Sequence, residues 1–146
     1  QPQVFMLRDY MPRNLMISTP NPGILDIEDA VYGPITYDVV SLFKDAFLSW
    51  PAEKVQICAR QYWTQGHAAG LPLPDRFEDF FADFELMGTQ RHLKVLGIFA
   101  RINYRDGKPH YLKDTPRFIR YVRETAARYP QLKGLLGLFD ELSLTA

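Results

Sequence analysis

Residues 4–29 read VFMLRDYMPRNLMISTPNPGILDIED, and this stretch decides the fold. The apolar run Val4-Phe5-Met6-Leu7 predicts a short strand entering a polar loop at Arg8 to Arg13. Leu15-Met16-Ile17-Ser18 predicts a second short strand, and Gly23-Ile24-Leu25-Asp26-Ile27 a third. Between them, Thr19-Pro20-Asn21-Pro22-Gly23 is a dense turn signal. The three strands form a small hairpin-like platform with Asp9, Asn14 and Asp26 at or near strand ends, and Gly33-Pro34 closes the region.

Beyond this platform the pattern turns helical. A helix is predicted from Thr36 or Tyr37 to about Trp50-Pro51, with Asp38 in its first turn. A second runs from Ala52 to Ala69 and stops at Gly70, and a third runs from about Asp75 to Tyr104. Arg105 to Pro109 is a turn, Asp114 to Tyr129 a fourth helix with Pro116 in its first turn, and Leu132 to Leu142 a short last helix. The fold class is therefore α+β: a small β platform followed by four or five helices.

The 146 residues fit one domain with a sizeable core, and 47% of them are hydrophobic, which excludes a disordered chain. Lys plus Arg and Asp plus Glu are balanced at 17 each, so nothing suggests a nucleic-acid partner. No apolar run approaches the roughly 20 residues of a membrane span. Cys58 is the only cysteine, so no intrachain disulfide can form; a reducing, cytoplasmic setting is the expectation. The chain opens on Gln1 in a strand-like run, which reads as a start in mid-domain.

The order of acid, amide and acid carries the chemistry. In catalytic loops of the pattern H-R-D-x-x-x-x-N, the Asp accepts the proton of an attacking hydroxyl and the Asn holds Mg²⁺. A later Asp bridges metal and phosphates. Asp9, Asn14 and Asp26 have those identities in that order, a base beside a nucleophile and two hard oxygen ligands for a hard cation. Asp9-x₄-Asn14 alone also fits an ordinary polar turn; the flanking strands and the delivery of Asp26 by a hairpin distinguish the two.

On these residues the chain resembles the aminoglycoside phosphotransferase-type kinases. The stretch DIEDAVYGPITYDVVSL (26–42) is similar to that family's acid-rich segment, Gly-Pro turn and Tyr-Asp helix start. FELMGTQRHLKVLGIFARINYRDGK (84–108) is similar to the helical subdomain of its members that phosphorylate the anomeric hydroxyl of the amino sugars N-acetylmuramate and N-acetylglucosamine. The resemblance implies a kinase-like C-terminal lobe over residues 1–146 and an ATP- and Mg²⁺-dependent transfer to an amino sugar in cell-wall recycling. It implies Asp9 as catalytic base, Asn14 and Asp26 as metal and nucleotide ligands, and Asp38 as the residue tying its helix to the catalytic loop. An aminoglycoside or choline-type acceptor, or a non-catalytic scaffold remnant, are the alternatives.

Two departures stand out. Leu7 occupies the place where the family usually has His, which predicts altered loop packing with the reaction kept. The nucleotide-covering strands, the phosphate-pairing lysine and the adenine hinge of an N-terminal lobe are absent from these residues, so the fragment alone is expected to be inactive. Apolar surface left by that lobe predicts self-association. Only Ile27 to Ile35 separates Asp26 from the next helix, leaving no peptide-docking segment and favouring a small-molecule acceptor.

Candidate acceptor residues lie on the third helix and in the loop. Phe77, Phe84, Val95 and Ile102 share a face, with Phe81 and Ile98 flanking it and Arg91 in its middle. A guanidinium there needs a partner: an internal acid such as Asp38 or Asp83, or an anionic substrate group such as the lactyl carboxylate of muramic acid. Glu85 and His92 fit a solvated pair or ligands for sugar hydroxyls. Arg13 fits a contact to phosphate or acceptor, or a loop-supporting salt bridge. Asp29 fits a metal- or substrate-facing acid or a plain surface acid.

Overall fold

A computed structural model describes residues 1–145. The order is β1 (Gln3–Met6), a 3₁₀ turn (Pro12–Asn14), β2 (Leu15–Met16), β3 (Gly23–Ile24) and β4 (Val31–Pro34). Five helices follow: α1 (Tyr37–Phe43), α2 (Ala52–Ala68), α3 (Phe77–Asp106), α4 (Thr115–Arg128) and α5 (Lys133–Glu141). This is the α+β class expected, mainly helical with small antiparallel pairs. The chain forms two compact units, Gln1–Gly88 and Thr89 onward, with the boundary inside the continuous helix α3.

In the first unit β1 pairs antiparallel with β4, Val4 opposite Gly33 and Met6 opposite Val31. Val31–Pro34 is thus a strand, where Gly33-Pro34 reads as a terminator. The proline sits at the strand's end, where a missing N–H costs least. β2 and β3 form a hairpin with Leu15 opposite Ile24 and Met16 opposite Gly23. Helix α1 ends at Phe43, well short of Trp50. The cause is Asp45, only 2% exposed, whose Oδ2 accepts the N–H groups of Phe47 (2.6 Å) and Leu48 (2.9 Å). An aspartate that offers the backbone a local acceptor of this kind competes with the helix ladder.

Helix α2 stops where the sequence places its end. Gly70 adopts φ +75°, its N–H donates to the His67 carbonyl, and the Leu71 N–H reaches back to Gly66. That pair of bonds is a Schellman cap, and its left-handed residue favours glycine. The first unit's core joins Ile35, Val39 and Val40 to Val55 and Ala59 of α2 and to Phe77, Phe80 and Phe84 of α3. Trp63 packs edge-on to Phe77 and donates to the Pro74 carbonyl at 2.8 Å, and Tyr62 stacks on Phe80. The apolar stripe of α3 therefore includes Phe80 and, in the second unit, Phe99, whereas Ile98 faces solvent at 40% exposure.

In the second unit α4 buries Phe118, Ile119, Val122, Thr125 and Ala126, a spacing of one helical face. Ile119 and Val122 pack with Phe139 of α5, and Arg123 bonds Asp140 across the two helices at 2.7 Å.

Candidate active site

The site grows out of the β2–β3 hairpin. The Leu25 N–H donates to the Asn14 carbonyl at 2.9 Å, so the ladder continues one step past Leu15 and stops beside Asp26. This register brings the side chains of Asn14 and Asp26 together. The Asn14 amide nitrogen lies 3.0 Å from the Asp9 carbonyl and 3.4 Å from Asp26 Oδ2. Asn14 thus links the loop backbone at Asp9 to the second acid. With its nitrogen so engaged, its amide oxygen is the group left for a cation, beside a carboxylate. Two hard oxygens, one just before β2 and one just after β3, are donors that would suit a hard cation such as Mg²⁺.

Two residues here hold left-handed backbone: Arg8 at φ +73° and Asp26 at φ +61°. Such conformations cost about 1–3 kcal/mol each in non-glycine residues and persist where the surroundings over-determine them. At Arg8 the surroundings are helix α1. The preceding Leu7 N–H donates to Asp38 Oδ2 at 2.7 Å. The Arg8 carbonyl lies 3.1 Å from the hydroxyl of Ser41, fully buried, which also meets the Tyr37 carbonyl at 2.8 Å. One turn of helix therefore grips the backbone on both sides of the strained residue, immediately before Asp9. The expected tie between Asp38 and the loop after β1 is present as this Leu7–Asp38 bond. Leu7 contributes to it through its backbone, which any residue at that place supplies.

The remaining sequence-based candidates separate. Asp29 is largely exposed and lies 3.6 Å from the Arg8 guanidinium, an ion pair of the kind worth little in stability. Arg13 sets its guanidinium carbon over the Phe47 ring, 3.3 Å from the centroid. Glu85 and His92 are not a solvated pair: they are 7% and 3% exposed. His92 packs at 5.1 Å against Tyr121 and 5.4 Å against Phe118 within the second unit. Arg91 is buried at 9% exposure. Asp9, Asn14, Asp26, Arg13, Asp29 and Glu85 belong to the first unit, Arg91 and His92 to the second.

Sequence reasoning missed Ser41, which looks like an ordinary helical serine. It also passed over a cavity of about 360 Å³ behind the loop, bordered by Tyr10, Asp38, Leu42, Cys58 and Tyr62. Burial raises the Tyr62 phenol above its ordinary value, and the Asp38 carboxylate adds to the shift.

The phosphotransferase enzyme family matches this chain over residues 1–80, more than half its length, and the chain belongs to that family. It is 60% identical over 142 residues to the N-acetylmuramate/N-acetylglucosamine kinase of Pseudomonas aeruginosa, covering 97% of the chain and 42% of that relative. The kinase of the same name from Pseudomonas putida is 58% identical over 146 residues, covering 100% and 43%. That from Neisseria meningitidis is 51% identical over 142 residues, covering 97% and 42%. The chain spans about two fifths of the length of these curated relatives.

Proposed function

We propose that this chain is the C-terminal, catalytic lobe of a kinase that transfers the γ-phosphoryl group of ATP to the anomeric hydroxyl of N-acetylmuramate or N-acetylglucosamine. The observation that carries this reading is the Asn14 amide, joined at once to the Asp9 backbone and the Asp26 carboxylate. The names of the relatives support the amino-sugar acceptor.

In this reading Asp9 takes the proton of the sugar hydroxyl as the oxygen attacks phosphorus, and the bond from phosphorus to the bridging oxygen of ADP breaks. Asn14 and Asp26 hold Mg²⁺, which when bound neutralises charge on the phosphates. Asp38 and Ser41 keep the loop in place, which matters because phosphoryl transfer rests on positioning and electrostatics. Asp29, paired with Arg8, and Glu85 are the first unit's candidate acceptor-side acids; in the second unit, taken by itself, Arg91 is the candidate for a lactyl carboxylate and His92 for a sugar hydroxyl. Among the described residues no helix is long and apolar enough to cross a membrane. We assign the protein to the cytoplasm because the proposed reaction consumes ATP. Exposed Phe5, Ile17 and Tyr32 on the strand platform offer a surface for self-association.

The test is to incubate the full-length protein containing this chain with MgATP and each sugar and to follow phosphorus by NMR. A sugar 1-phosphate resonance coupled to the anomeric proton is expected. Phosphate on another hydroxyl, or release of inorganic phosphate alone, contradicts the assignment.

A further inference from the structure

We infer that Arg13 is a further ligand-binding residue: set over the Phe47 ring, it binds an anionic oxygen group at the loop that carries Asp9, a donor phosphate or an acceptor carboxylate. The inference rests on the kinase reading for its choice of ligands. Three observations on two separate segments converge on it. Arg13 occupies the 3₁₀ turn Pro12–Asn14, directly before the residue assigned to metal. Its guanidinium carbon lies 3.3 Å from the centroid of the Phe47 ring. Phe47 in turn belongs to the turn fixed by the buried carboxylate of Asp45, which accepts its N–H at 2.6 Å.

The chemistry follows from the shape of the group. A guanidinium stacked on a ring uses its face and keeps its N–H donors in the plane, where they match two oxygens of a carboxylate or phosphate. A long exposed side chain normally loses much rotamer freedom on binding; stacking removes part of that freedom beforehand, so more of the hydrogen-bond energy appears as affinity. A residue that served only to brace the loop gains little from such presentation of its donors. The ring also makes lysine a poor replacement, since an ammonium has neither the flat face nor the fork.

The test measures equilibrium binding of MgATP, N-acetylmuramate and neutral N-acetylglucosamine to the full-length protein, as wild type, Arg13→Gln, Arg13→Lys and Phe47→Leu. Arg13 is exposed, so its variants are expected to unfold at the wild-type temperature, which thermal unfolding checks. In Arg13→Gln the Kd for one anionic ligand is expected to rise about tenfold to a hundredfold, with N-acetylglucosamine within about twofold of wild type. Arg13→Lys should recover little of the loss, and Phe47→Leu should weaken the same ligand by a smaller factor. A loss confined to MgATP assigns the donor phosphate; one confined to N-acetylmuramate assigns the carboxylate and displaces Arg91 from that role. Equal weakening of all three ligands, or of none, overturns the inference. Selective loss of an anion in a protein without sugar phosphorylation would retain the anion site and reject the kinase reading; normal turnover with unaltered binding would do the reverse.

Discussion

The Asp38 carboxylate accepts the backbone N–H of Leu7 at 2.7 Å, fastening the chain two residues before Asp9 to the first turn of α1. One turn on, Ser41 holds the carbonyl of Arg8. Between these two bonds lies the left-handed backbone of Arg8. Loss of either should let the loop relax toward an unstrained conformation. Ser41→Ala is expected to cost about 1 kcal/mol of stability and to lower kcat on the order of a hundredfold with little change in nucleotide affinity. Denaturant unfolding and steady-state kinetics check both; a kcat equal to wild type would show that Ser41 has no part in placing the loop.

Asn14 and Asp26 meet because the β2–β3 register carries on to the Leu25–Asn14 bond. Asp26→Asn keeps the size of the side chain and removes its charge. The Mg²⁺ concentration at half-maximal rate is expected to rise by about tenfold or more, read from a magnesium titration at fixed ATP. An unchanged midpoint would remove Asp26 from the metal site.

Asp45 ends α1 by accepting two backbone N–H groups from a buried position. Replacement by Ala strands both donors and is expected to destabilise the fold by about 1–3 kcal/mol. Thermal unfolding of Asp45→Ala beside Asp45→Asn checks this, the amide oxygen retaining part of the turn.

Tyr62 has its phenol raised first by burial and then by Asp38. The folded state therefore keeps the proton after the unfolded chain has released it. The favourable contribution is complete below about pH 10 and is lost as pH rises through the folded-state value. In Tyr62→Phe this share of the alkaline loss should vanish. Urea midpoints from neutral to strongly alkaline pH test it: parallel curves for the two proteins would contradict the assignment.

The strand platform is legible in residues 4–27 because apolar runs and Gly/Pro turns are local signals. The meeting of Asn14 and Asp26 is legible too, since one directly precedes β2 and the other closely follows β3. β4 is not, because Gly33 and Pro34 look like a break and become a strand only through pairing with β1. The early end of α1 depends on a buried acid, whereas Asp45-Ala46-Phe47-Leu48 reads as a continuing helix. The two-unit division is hidden by a helix that runs unbroken across it. The contact of Arg13 with Phe47 joins distant segments, and no periodicity reports it.

The most direct test of the account is transfer from γ-labelled ATP to N-acetylglucosamine in a single turnover, comparing the full-length wild-type protein with Asp9→Asn. The substitution preserves shape and removes the base. The account predicts labelled sugar phosphate from wild type, a rate about a hundredfold to ten-thousandfold lower from the variant, and the same thermal unfolding midpoint for both. Equal rates in two equally folded proteins would contradict the assignment of Asp9 and, with it, the reading of this lobe as the catalytic half of a sugar kinase.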